Sequence, residues 1–280
     1  MEKKLAIVTG ANSGMGLATV IALAKKDLHV IMLCRNEAKG KRALELAKEE
    51  SQSSSIELMI GDLASIESIH HFAETFKANH DSLDLLINNA GVVTLKRQET
   101  KDGFESMLGV NHLGHFLLTN LLIDELKRSE AGRIVIVSSG AHKWGTFDFD
   151  DPYFHKGFNV VKGYGRSKLA NVWFMKGLAK RLADTSVTVN ALHPGAVATN
   201  IGVDRDTGFG KRFIKLLVPF FRTPERGAQT AVFLATSDRV QTISGSYFYD
   251  EKEAPLSKLA QDDELVDRFW HWSEQQVGLD

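Results

Sequence analysis

Thr9-Gly10-Ala11-Asn12-Ser13-Gly14-Met15-Gly16 follows the apolar run Leu5–Thr9 and opens a stretch with helical spacing at Leu17, Val20, Ile21 and Ala24. Glycines at a strand-to-helix turn let the backbone reverse tightly and approach a ligand closely. The helix start adds free N–H groups and the positive end of a dipole, which together favour an anion. The spacing is G-x-x-x-G-x-G, not the commoner dinucleotide spacing G-x-G-x-x-G. Its place directly after a first strand gives it meaning that isolated glycines lack. Gly10, Asn12, Ser13, Gly14, Met15 and Gly16 are the expected pyrophosphate cradle.

Outward from this turn the same alternation recurs. Short β-branched apolar runs stand at Leu5–Thr9, His29–Leu33, Ile56–Ile60, Leu83–Ile87, Arg133–Val137 and Val187–Leu192. Longer segments of helical spacing separate them. Uninterrupted apolar strands between amphipathic helices imply a mostly parallel sheet covered on both faces. Right-handed crossovers make this an α/β, doubly wound sheet. Its ligands belong beyond the carboxyl ends of the strands.

The bulk composition agrees. The 280 residues are 43% hydrophobic and 25% charged, which excludes a disordered chain. Cys34 is alone, so no intrachain disulfide forms and a reducing compartment is expected. The net charge of −1 speaks against nucleic acid as a partner. No apolar run nears the ~18 residues that span a bilayer. A single cytoplasmic domain over residues 1–280 is the expectation.

The end of the second apolar run bears on the dinucleotide. An acid there binds the ribose 2′-hydroxyl of NAD, whereas an arginine accommodates the 2′-phosphate of NADP. The chain reads Ile31-Met32-Leu33-Cys34-Arg35-Asn36, with no acid before Glu37. Arg35, with Asn36 beside it, points to NADP(H) in preference to NAD(H). Cys34 reads as a small buried hydrophobe.

Further motifs follow in order: Asn88-Asn89-Ala90-Gly91, Val110-Asn111-His112-Leu113-Gly114, Ser138-Ser139, Tyr164-Gly165-Arg166-Ser167-Lys168, and His193-Pro194-Gly195 with Thr199. On these the chain resembles the short-chain dehydrogenases/reductases over nearly its whole length. It is most similar to their retinol-dehydrogenase-like branch, through Ser167–Val172, Ala191–Gly195, Arg226–Thr230 and Ser244–Phe248. The resemblance implies a Rossmann-type sheet and a catalytic set of Asn111, Ser139, Tyr164 and Lys168, with Ser138 as the alternative serine. It also implies that Lys168 binds the nicotinamide ribose and that Asn111, inside a helix, anchors a water relaying protons to Lys168. By the same match Asp62 and Leu63 meet the adenine, Asn89 and Ala90 line the adenine ribose side with Val110 nearby, and Gly91 also contacts the cofactor. Pro194, Gly195, Val197 and Thr199 flank the nicotinamide amide. Membrane-bound members of the branch carry an N-terminal apolar anchor that these residues lack.

The chemistry of the set stands on its residue types. Tyr164 and Lys168 are four apart and share one helix face. A free phenol titrates near ~10, and a neighbouring ammonium is expected to bring it down. Tyr164 then exchanges a proton with a carbonyl or alcohol oxygen, and Ser139 holds that oxygen by a hydrogen bond.

Other features carry less. His70 and His71 are helix neighbours on different faces. His112 and His115 have a spacing that can chelate, but no third ligand accompanies them, so helix packing is expected and no metal. Lys39, Lys41 and Arg42 belong to a solvated helix face. Two apolar stretches describe the substrate. Trp144, Phe147, Phe149, Tyr153, Phe154 and Phe158 form an aromatic segment expected over the site. Phe209, Phe213, Leu216, Leu217, Phe220 and Phe221 make one stripe opposite Lys211, Arg212 and Lys215, reading as a substrate lid at about residues 200–223. An interface in a homo-oligomer and a peripheral membrane contact are the other readings of that stripe. Asp262–Leu279 reads as a terminal helix docked on the core. The expected function is NADP(H)-dependent hydride transfer to or from a small lipophilic carbonyl or alcohol. The alternative is a non-catalytic dinucleotide-sensing or scaffolding protein of the same fold.

Overall fold

Every residue of strand β1 (Leu5–Thr9) is buried, because β1 lies inside the sheet with helices on both faces. The computed structural model describes residues 3–195 and 222–279. The other strands are β2 (His29–Cys34), β3 (Ile56–Ile60), β4 (Leu85–Asn88), β5 (Arg133–Val137), β6 (Thr188–His193), β7 (Tyr247–Tyr249) and β8 (Lys252–Glu253). They form one sheet in the order β3-β2-β1-β4-β5-β6-β7-β8, parallel throughout except for the antiparallel β7–β8 edge. The chain winds outward from β1 to β3 and then resumes on the other side at β4. That reversal leaves a crevice beyond the carboxyl ends of β1 and β4, where ligands bind in open parallel sheets.

The helices are α1 (Gly14–Ala24), α2 (Glu37–Ser51), α3 (Ile66–Asn79), α4 (Ser106–Leu108), α5 (Gly114–Leu121), α6 (Ile123–Arg128), α7 (Val160–Arg181), α8 (Pro224–Thr236) and α9 (Asp263–Val277). Side chains alternate across each strand, and the core divides accordingly. Ile7, Ile31, Leu86 and Ile134 pack with α3, α5, α7 and α9. Ala6, Val8, Met32 and Ile87 pack with α1, α2 and α8. Caps fix the helix starts: Asn36 accepts from Lys39 N at 2.9 Å, and Asp262 accepts from Leu265 N at 3.0 Å.

Several expectations shift. The fourth strand begins at Leu85, not Leu83, because the Leu83 N–H is spent on the Glu125 carbonyl within α6, 3.0 Å away. The edge strands β7 and β8 were not legible as strands; they span three and two residues. Asn111 does not sit in a regular α-helix but in a π-helical turn, Gly109–Leu113, between α4 and α5. The buried Glu105 carboxylate starts this region by accepting from Met107 N and Leu108 N, each at 2.9 Å.

The aromatic segment after β5 packs mostly into the protein. Phe147 lies 4.9 Å from the Phe269 ring and 5.0 Å from Trp272, both on α9. Tyr153 Oη donates to Gln276 Oε1 at 2.6 Å, and the Arg166 guanidinium rests 3.5 Å above the Phe154 ring. These rings find more apolar surface between α7 and α9 than a site mouth offers. Trp144 alone among them stays largely exposed, its indole seated against Gly165. The docked terminal helix is present as α9, with Phe269 and Trp270 buried. The stripe from Phe209 to Phe221 lies outside the described residues.

Candidate active site

The turn after β1 is shaped by what glycine lacks. Gly10 has φ +63°, and a Cβ there would stand 2.9 Å from Ala90 Cα. A Cβ at Gly16 would meet the Gly10 carbonyl and come within 2.6 Å of Asn89 Nδ2. Ser13 is the N-cap of α1, yet its side chain caps no N–H. Among the described residues no side chain bonds the N–H groups of the first turn of α1, which faces the crevice. Asn12, Gly14 and Met15 complete this cradle. Its donors and its close backbone approach fit a dinucleotide pyrophosphate.

Arg35 is exposed just past β2, and Asn36 spends its side chain on capping α2. Burial pushes the Cys34 thiol up to about 11, so it is inert packing. Asp62 and Leu63 follow β3, with Asp62 Oδ1 accepting from Ala64 N at 3.0 Å. Asn89 Nδ2 donates to the Thr9 carbonyl at 2.7 Å, tying the turn after β4 to the end of β1. Val110 is buried in the π turn. Pro194 and Gly195 follow β6; the Gly195 N–H bonds His193 Nδ1 at 3.1 Å. Val197 and Thr199 lie outside the described residues.

At the reactive end, Asn111 and Lys168 converge from the π turn and α7 on the loop after β4, and the Tyr164 ring centroid lies 5.7 Å from Lys168 Nζ. A Cβ on Gly91 would lie 3.6 Å from Asn111 Oδ1 and 3.8 Å from Lys168 Nζ. Asn111 Oδ1 accepts from Val92 N at 2.7 Å, and its Nδ2 donates to Val92 O and to Ser167 Oγ, both at 3.1 Å. The Lys168 ammonium is buried and donates to Val137 O at 3.0 Å. Burial alone pushes it down to about 8.

The two serines after β5 divide their work. Ser138 is buried and its hydroxyl donates to the Lys168 carbonyl at 2.8 Å, which pins β5 to α7. The Ser139 hydroxyl accepts from Ala141 N at 3.2 Å, capping the turn after β5, and its side chain also acts on the Tyr164 phenol, which it lowers. His142 holds the Ser139 carbonyl through Nδ1 at 2.8 Å. One expectation is corrected here. Burial raises the Tyr164 phenol above its ordinary value, and only the Ser139 hydrogen bond opposes this. Lys168 Nζ sits 5.7 Å from the Tyr164 ring centroid and gives its bond to Val137 instead of the phenol.

Sequence reasoning missed the scaffold beneath these groups. Thr9 Oγ1 accepts from both Asn89 N, at 2.9 Å, and Ala90 N, at 2.8 Å. The two helix histidines are buried packing groups, as expected: His112 Nε2 bonds Ser273 Oγ on α9 at 2.9 Å, and His115 Nε2 bonds Thr9 Oγ1 at 2.8 Å. No signal in the one-dimensional pattern marks a partner 161 or 106 residues away. Among the described residues no cluster of His, Cys, Asp and Glu has metal-binding geometry, and no helix is long and apolar enough to cross a membrane.

Comparison with known proteins gives the family. The short chain dehydrogenase family matches residues 4–208. Human retinol dehydrogenase 14 is 43% identical over 100% of this chain and 88% of its own length. Human retinol dehydrogenase 13 is 42% identical over 99% of this chain and 85% of its own. Among solved structures, a protein from Mycobacterium Paratuberculosis superposes with a TM-score of 0.79 at 30% identity, covering 98% of this chain and 93% of the other.

Proposed function

The chain belongs to the short-chain dehydrogenase family and is an NAD(P)-dependent oxidoreductase; from this we propose that it moves a hydride between NADP(H) and the carbonyl or alcohol carbon of a small lipophilic substrate. The convergence of Asn111, Ser139, Tyr164 and Lys168 beyond the carboxyl ends of the strands carries the reading. The lipophilic substrate is supported by the relatives' names and by exposed apolar groups near Tyr164, namely Trp144 and Val161.

When bound, the nicotinamide supplies or takes up the hydride. Tyr164 delivers its phenolic proton to the substrate oxygen in reduction and receives it back in oxidation. Ser139 donates a hydrogen bond to the same oxygen as charge develops there. Lys168, pushed down to about 8 by burial and 5.7 Å from the Tyr164 ring, is the proton donor that restores the phenol after each reduction. Asn111 holds Val92 and Ser167 and thereby fixes the floor on which Lys168 lies. Arg35 would hold the 2′-phosphate of NADP(H), a group that NAD(H) lacks.

The test is consumption of NADPH by the purified full chain with retinal and with long-chain and aromatic aldehydes. Turnover is expected, and Tyr164→Phe should lower kcat by ~10²- to 10⁴-fold with NADPH affinity retained. No turnover with any of these carbonyls would overturn the reading. Arg35→Ala should weaken NADPH by ~10-fold or more while sparing NADH. An equal loss for both, or tighter NADH binding by the parent, would remove Arg35 from this role.

A further inference from the structure

His115 lies one helical turn beyond Asn111, buried, with both ring nitrogens engaged. Nδ1 stands 3.1 Å from the backbone carbonyl of Asn111, and Nε2 stands 2.8 Å from Thr9 Oγ1. A carbonyl only accepts, so Nδ1 carries the proton. Nε2 is then a lone-pair acceptor, and the Thr9 hydroxyl donates to it at 2.8 Å in preference to the Ile87 carbonyl 3.4 Å away. That leaves the Thr9 oxygen's lone pairs for the two N–H groups of Asn89 and Ala90, which fill them at 2.9 and 2.8 Å. Every polar atom in the chain of contacts is satisfied with one tautomer and one hydroxyl orientation. Burial, helped by the Lys168 ammonium, holds the ring neutral by pushing it down to about 4.

The links have consequences at both ends. Thr9 ends β1, and Asn89 and Ala90 form the turn that faces the dinucleotide cradle. Asn111 sits in a π turn, a wider and less regular backbone than its α-helical flanks. Its side chain is committed to Val92 and Ser167, so the imidazole at its carbonyl is a separate constraint on its position.

We propose that His115 is a positioning residue for the hydride-transfer site: its ring is a strut that holds the Asn111 turn in register with the Thr9, Asn89 and Ala90 turn. The inference rests on the roles given above to those two turns. It predicts that the strut's two hydrogen bonds can be lost separately. Asn at this position keeps a donor near Nδ1 but cannot reach Thr9. Gln reaches Thr9 but offers no donor to the Asn111 carbonyl. Phe keeps ring volume and loses both.

The experiment measures NADPH affinity by tryptophan fluorescence, kcat with an aldehyde substrate, and melting by circular dichroism, for His115→Asn, His115→Gln and His115→Phe. Losing one buried hydrogen bond corresponds to about a 5-fold change. His115→Asn should therefore weaken NADPH by about 5-fold with kcat near the parent's, and His115→Gln should lower kcat by a similar factor with NADPH affinity retained. His115→Phe should lose both. Folded variants whose affinity and kcat equal the parent's, or that differ in melting temperature alone, would overturn the proposal. Should His115→Phe not fold, the opposite effects of Asn and Gln still decide it, and their absence refutes it. An inactive parent would refute the proposed function, whereas the NADPH arm would still report on His115.

Discussion

Replacing Lys168 by Met should make the protein more stable while stopping its chemistry. The ammonium is buried and is pushed from 10.5 down to about 8 by desolvation. With the group charged at neutral pH, that displacement corresponds to a folding cost of ~3 kcal/mol. Met has nearly the same length and no charge, so the cost disappears. The loss on the other side is the ammonium's bond to Val137 O, worth ~1.5 kcal/mol or somewhat more. That carbonyl is not orphaned, because Asn171 Nδ2 also donates to it at 3.1 Å. The balance is ~1 to 2 kcal/mol in favour of Met, or a rise of ~2 to 4 °C in melting temperature for a chain of this size. The pH dependence has a definite sign. Between about 8 and 10.5 the unfolded lysine still binds a proton that the folded one has released, so the parent gains stability as pH rises through that window. Lys168→Met lacks this gain, and subtracting one curve from the other removes contributions from other groups. Thermal melting followed by circular dichroism, without dinucleotide, at neutral pH and at pH ~10 measures both effects. A variant that melts below the parent at neutral pH, or a parent-minus-variant difference that does not grow with pH, would refute the reasoning.

Two further outcomes separate neighbouring roles. Ser139→Ala should lower kcat by ~10²-fold or more while costing at most ~1 kcal/mol of stability through its lost bond to Ala141 N, whereas Ser138→Ala should lower stability by ~1 kcal/mol through its lost bond to Lys168 O and reduce kcat much less; steady-state kinetics beside thermal melts distinguish them, and a larger loss of kcat in Ser138→Ala would make Ser138 the reacting serine. Phe269→Ala should cost ~3 kcal/mol or more in urea unfolding, since the ring is fully buried among Trp173, Trp272, Phe147 and His112. A small effect there would mean that α9 contributes little to the core.

Much of this fold could be read from residues that act locally. A glycine cradle after a buried strand, and motif residues at the ends of later strands, are set by contacts within a few positions and by strand order. Tyr164 and Lys168 could be paired because helix periodicity alone puts them on one face. What was not legible depends on distant partners. The phenol's surroundings were misjudged because the direction of the Lys168 side chain is decided by the Val137 carbonyl, which a helix diagram does not contain. The aromatic segment after β5 looked like a site cover, but α9, more than a hundred residues on, offers Phe147 and Tyr153 better burial. Strand β7 was missed since three residues are too few to show alternation. Thr9 could be quoted as the end of β1, yet its hydroxyl became meaningful only when β4 was laid beside it.

The π turn at Gly109–Leu113 has a consequence for chain length. A π turn holds one residue more than the α-helical turn it interrupts. Its upstream side is clamped by the Glu105 carboxylate on Met107 and Leu108, and its downstream side by His115 on Thr9. Deleting a single residue between those clamps would restore ordinary helix geometry and yet swing Asn111 by ~100° relative to one of them. Residues in this stretch can therefore be exchanged for others of similar bulk, but the number of residues from 105 to 115 cannot change. Insertions and deletions should be purged here more strictly than point substitutions, even at positions whose side chains touch nothing in the site.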